Sequence, residues 1–113
     1  MTTLKLPFLF IISLLSTSLI AGDINSTVNY VRVDQSGRGI VKFDDPKYGT
    51  LPSCGNSHPN HLAFDTNSPG GQAILSVALS AQMSGKRIWA RGTEACSSYG
   101  TVENWNYGWV NTD

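Results

Sequence analysis

One stretch of the chain carries helical periodicity, Ser68 to Gly85, and its position divides everything else. Thr66-Asn67-Ser68-Pro69 is a helix start. Ser68 offers a side-chain cap, and Pro69, which lacks an N–H, suits the first helical position. Ile74, Val77, Ala78 and Ala81 recur at helical spacing on one face, and Leu75, Leu79 and Met83 widen it. Gly85 ends the helix in the left-handed conformation. The small residues Ala73, Ser76, Ala78, Ser80 and Ala81 allow close packing on a sheet, or a helix–helix contact in an oligomer.

Strands are expected on both sides of this helix. Val28–Gln35 and Gly39–Phe43, joined by the turn Ser36-Gly37-Arg38-Gly39, form a hairpin. Side chains alternate across a strand, so Val31 and Val33, Val41 and Phe43 are the natural inward sets. Asp44–Asn60 holds Pro46, Gly49, Pro52, Gly55 and Pro59 and reads as a long loop. His61–Asp65 is a short strand with Leu62 and Phe64 inward. Beyond the helix lie Arg87–Gly92 and Thr101–Val110, and Gly22–Thr27 reads as a loose polar lead-in. The result is a β-rich α+β domain in the order β-β-β-α-β-β. That is the element order of the OB-fold, a five-stranded Greek-key barrel, and equally of a curved open sheet with one packed helix.

Met1 to Ala21 reads as a cleaved secretory signal peptide. Lys5 gives the positive start, Leu6–Ile20 the apolar run, and Ala21-Gly22 the small residues at the cut. The run falls short of the ~20 apolar residues of a membrane span, so no span is expected after cleavage. Gly22–Asp113 then forms a single small domain, 92 of the 113 residues, secreted or periplasmic. A core this small is marginal, and an oxidising compartment permits a staple. Cys54 and Cys96 are the two cysteines, so one intramolecular pairing exists. Closing a loop of about 42 residues stabilises by about 4 kcal/mol in the chain-entropy model. His58 and His61 lie near Cys54, but no C-x-x-C pair accompanies them; a disulfide is expected, with no metal and no cofactor. Eight basic and eight acidic residues are scattered without a concentrated patch. That excludes nucleic acid and anionic membrane as expected partners.

No catalytic constellation is visible. Ser97 and Ser98 lack a nucleophile elbow, and Gly70-Gly71 lacks the lysine of a phosphate loop. Glu94 and Glu103 would pair only if folding joined them. Binding residues are better represented. Trp89, Trp105, Tyr107 and Trp109 lie in two segments with Arg87, Arg91, Asn104 and Asn106. Alternation puts Glu103, Trp105, Tyr107 and Trp109 on one face of the last strand. An aromatic plate stacks on a sugar's apolar face while Asn and Arg bond its hydroxyls. The same rings equally suit half of a core, and alternation alone does not divide Trp105 from Tyr107. The candidate ligand residues are Trp89, Arg91, Trp105 and Tyr107, with Tyr48, Asn56, Ser98 and Tyr99 from loops that a disulfide would hold together.

The portion Phe64–Gly92, with Ser84-Gly85-Lys86-Arg87-Ile88 entering the strand after the helix, resembles OB-fold receptor-binding B subunits. The similar families are the subtilase-cytotoxin-like and pertussis-like toxins. The resemblance implies a homo-oligomeric ring around the helices and binding of host or cell-surface glycans; no family site residue is transferred. The expected function is an exported, non-enzymatic binding module, glycan-binding and toxin-B-subunit-like. The alternatives are an exported structural, protein-interaction or inhibitor protein, and a small secreted hydrolase using His58 or His61.

Overall fold

The computed structural model describes residues 21–112; the run read as a signal peptide, Met1 to Ala21, lies outside them except for Ala21. The elements are β1 (Asp23–Ser26), β2 (Val28–Val33), β3 (Arg38–Phe43), β4 (His61–Asp65), α1 (Pro69–Ser84), β5 (Ile88–Gly92) and β6 (Trp105–Val110). A 3₁₀ turn spans Ser53–Gly55. The strands form two three-stranded antiparallel sheets, β1-β5-β6 and β2-β3-β4. Among the described residues one helix and one disulfide complete a small β-rich domain.

The lead-in is a strand, which corrects the expected count of five. Asp23-Ile24-Asn25-Ser26 reads as polar because its outward positions are Asp23 and Asn25. Ile24 and Ser26 point inward and are fully buried, and the ladder to β5 supplies the pairing that the sequence does not advertise. Thr27 alone separates β1 from β2, so a nearly unbroken run passes from one sheet to the other. On the opposite side the sheets meet at a single parallel bridge, Ala63 to Asn104, beside an Ala63 N–H to Glu103 carbonyl bond of 2.9 Å. Among the described residues no continuous ladder closes the two sheets into a barrel. Instead α1 packs on β2, β4 and β6, elements of both sheets.

The core lies between these layers. Val41, Phe43, Leu62 and Phe64 come from one sheet, Ile24, Ile88, Ala90 and Trp105 from the other, and Ala78 and Ala81 from the helix. The helix start behaves as its sequence dictates: the Ser68 hydroxyl accepts from Gly71 N at 3.0 Å, with Pro69 at the first position. Gly85 sits at φ 69° and donates to the Ala81 carbonyl. Its apolar face is narrower than expected. Ala78 and Ala81 are buried, whereas Leu79 is 39% and Met83 87% exposed. The sheets are short, and they cover only the central stripe of a helix of 16 residues. Val33 likewise stands 46% exposed, because β2 is the outer strand of its sheet. Among the described residues no helix is long and apolar enough to cross a membrane.

The disulfide forms as expected. Cys54 and Cys96 have Cα atoms 6.2 Å apart and close a separation of 42 residues. It ties the long loop to the segment between β5 and β6. The hairpin turn is braced from that same segment. Tyr99 Oη donates to Asp34 at 2.7 Å, Arg38 lies 4.7 Å over the Tyr99 ring, and Arg38 Nη1 donates to the Ser98 carbonyl at 3.1 Å. The Ser36 hydroxyl, then the Tyr99 hydroxyl, hold the Asp34 carboxyl down to about 2. Burial, then the bond to Asp34, pushes the Tyr99 hydroxyl up.

Candidate functional site

The register of the first sheet builds an aromatic outer face. Its inward rows are Ile24–Ala90–Gly108 and Ser26–Ile88–Val110. The rows between them point outward: Asp23–Arg91–Tyr107 and Asn25–Trp89–Trp109. Directly opposed side chains in such rows are the natural units of sheet stabilisation. Trp89 stacks on Trp109, centroids 4.4 Å apart and planes at 25°, and meets Tyr107 at 5.5 Å. The Trp89 indole N–H donates to Tyr48 Oη at 3.1 Å, which draws the long loop to the edge of the face. Trp109 and Tyr48 are each 51% exposed and Tyr107 46%.

A β-bulge separates Trp105 from this face. Tyr107 pairs with Arg91 and Trp105 with Gly92, leaving Asn106 as the extra residue. The bulge reverses the alternation. Trp105 therefore turns inward, 4% exposed and 5.9 Å from the Phe43 ring, while Tyr107 and Trp109 stay outside. The expectation that Glu103, Trp105, Tyr107 and Trp109 share a face is corrected on this point.

The cations of the aromatic face are matched by carboxylates. Arg91 grips Asp23 through two bonds, 2.6 and 3.0 Å, and lies 5.3 Å over the Trp89 ring. The bond to Asp23 holds the guanidinium further above its ordinary value. Arg87 donates to the Asn25 carbonyl at 2.6 Å and approaches Asp45 at 3.4 Å. Arg91 also walls a cavity of about 230 Å³ with Thr93, Glu94, Asn106 and Tyr107. Glu94 holds φ 74°, a conformation that non-glycine residues seldom adopt. Such outliers gather at functional sites.

Of the candidate ligand residues, the structure brings together Tyr48, Trp89, Arg91 and Tyr107. It places the others elsewhere. Trp105 is in the core. Ser98 exchanges two bonds with Asn104, 3.0 and 2.8 Å, and Tyr99 braces the hairpin turn. Asn56 is exposed at the end of the 3₁₀ turn. Asp23 and Asn25, hidden in the supposed lead-in, belong to the face, as does Trp109. The signal that finds them is alternation read together with the aromatic partners opposite.

Glu103 does something the sequence does not disclose. It is fully buried and opposes Lys47 Nζ at 3.4 Å, both side chains without exposure. Glu94 meets it through its backbone N–H at 3.2 Å, not as a carboxylate pair. Burial pulls the Lys47 ammonium down, against the pull of Glu103. The two histidines lie apart from the aromatic face, rings 5.5 Å from each other, with Tyr30 Oη 3.4 Å from His61 Nε2. Burial first, then His58, Lys42 and Lys47, hold His61 below its ordinary value. Among the described residues no group of three His, Cys, Asp or Glu is placed to hold a metal. No protein family, curated protein or solved structure matches this chain.

Proposed function

We propose that this protein is an exported, non-enzymatic binding module whose outer β1-β5-β6 face takes a glycan. The observation that carries this reading is the cluster of Tyr48, Tyr107 and Trp109, each about half exposed around Trp89. Contiguous exposed aromatic surface with a polar rim is a mark of a binding site. The rings supply stacking surface, and Asp23, Arg91 and Asn106 at their margin supply donors and acceptors for hydroxyls. Arg87 and Arg91 are already engaged by carboxylates, so a neutral, hydroxyl-rich sugar suits the face better than an acidic one.

The disulfide is compatible with an extracellular destination. An OB-type reading of the two sheets is supported by the helix between β4 and β5, by the β1–β2 run shared between sheets, and by the parallel bridge from β4 to the segment before β6. Ring assembly like that of the toxin B subunits draws support from the exposed Leu79 and Met83 on α1. Native mass measurement tests that assembly, and a clean monomer removes it.

A glycan array of the exported protein tests the main reading. Neutral glycans are expected to bind, and Tyr107→Ala or Trp109→Ala to weaken that binding by about tenfold or more. Silence across neutral and sialylated glycans alike overturns the proposal.

A further inference from the structure

The buried carboxylate of Glu103 points to how the exported chain begins. Its oxygens accept from Gly22 N at 3.2 and 3.3 Å, across 81 residues of sequence. One N–H shared between two oxygens at those lengths is a weak arrangement. Charge-assisted bonds run nearer 2.7–2.9 Å. The other donors, Lys47 Nζ at 3.4 Å and the Glu94 N–H at 3.2 Å, are long as well. Three glycines open that space. A methyl group on Gly22 would lie 2.8 Å from Lys47 Cδ and 2.9 Å from Glu103 Oε1. One on Gly92 would lie 1.9 Å from Glu103 Oε2, and one on Gly55 3.2 Å from Glu103 Cβ. Gly22 is held there by its own backbone, its carbonyl accepting from Gly92 N at 2.9 Å. The next residue, Asp23, exchanges bonds of 3.0 and 2.9 Å with Tyr48.

We infer that export makes Gly22 the first residue and that its α-ammonium becomes a counter-ion of Glu103 inside the fold. The inference rests on the exported-chain reading. A signal peptidase hydrolyses the Ala21–Gly22 bond with one water. The Ala21 carbonyl carbon takes the hydroxyl and leaves as a carboxylate. The Gly22 nitrogen takes the hydrogen and the acid proton, and becomes –NH₃⁺. Three donors then replace one, enough for both Glu103 oxygens, and a second positive charge joins Lys47. Because Gly22 is buried in the folded domain, the cut precedes folding. The uncut chain has the single amide hydrogen and cannot make the ion pair.

The full chain, produced in a secreting host, tests this in two steps. Intact mass and N-terminal sequencing of the exported product are expected to show Gly22 first. The product is then treated at neutral pH with an amine-acylating reagent, with and without urea. The folded α-amine is expected to react about tenfold more slowly, held by Glu103 as the unreactive ammonium. Glu103→Gln is expected to remove that protection. If this variant does not fold, the pH dependence of acylation decides for the wild type, since an ion pair moves the folded amine's titration to higher pH whereas burial alone moves it lower. An exported product that starts at another residue, or an α-amine equally reactive in both states, overturns the inference while leaving export standing. A chain retained uncut overturns both.

Discussion

The outer face of β1-β5-β6 carries Trp89, Tyr107 and Trp109 beside two arginines held by carboxylates. The outer face of β2-β3-β4 carries Tyr30, Arg32, Lys42 and His61. Lys42 Nζ lies 5.9 Å over the Tyr30 ring, and among the described residues neither it nor Arg32 has an ion-pair partner. Toward the core both sheets present apolar side chains to one helix. The contrast lies wholly in the outward rows. One face offers apolar ring surface with balanced charge, and the other offers net positive charge with a single exposed tyrosine. A ligand selected by stacking belongs on the first, and one selected by charge on the second.

The largest expected effect sits beneath the first face. Glu103→Ala strands the buried Lys47 ammonium and is expected to cost about 3–5 kcal/mol in a urea titration. Trp105→Ala is expected to cost a similar 3–5 kcal/mol or so. Trp109→Ala, four residues along the same strand, is expected to cost about 1 kcal/mol while weakening sugar binding by about tenfold or more. Equal losses of stability from the two tryptophans would erase the inner–outer division that the bulge creates.

The second face is expected to answer to acid. His61 has a folded-state affinity for protons below that of the unfolded chain, chiefly through burial. Its contribution to stability is therefore present above about pH 6.5 and shrinks as pH falls through that value. Urea midpoints measured from pH 8 to pH 5 are expected to decline, and His61→Gln to flatten the decline. The smallest effect belongs to the hairpin turn. The Asp34 carboxyl is lowered from 3.8 to about 2, so its contribution is lost as pH falls between those values. Asp34→Asn is expected to blunt the final acid step, seen by circular dichroism. An acidic oligosaccharide that bound the aromatic face, in competition with neutral sugar, would break the comparison outright.

The sequence read well where local chemistry decides the outcome. Ser68, Pro69 and Gly85 mark the helix because capping is a matter of neighbouring residues. The strand His61–Asp65 is found at its observed limits for the same reason. The disulfide follows from there being two cysteines. Legibility fails where a distant partner decides. Asp23–Ser26 has no strand signature of its own and is ordered by β5. The division of Trp105 from Tyr107 depends on a bulge opposite Arg91 and Gly92, across the ladder. The meeting of Gly22, Lys47 and Glu103 joins three segments that no spacing rule connects.

The stacking of Trp89 on Trp109 has a practical corollary. Two stacked indoles 4.4 Å apart, their planes inclined at 25°, act as coupled chromophores whose shared transitions divide into circular dichroism bands of opposite sign. The couplet vanishes if either ring turns away. Anything settling on Trp109 perturbs it without a dye or a tag, so the molecule carries its own optical gauge of what touches that surface.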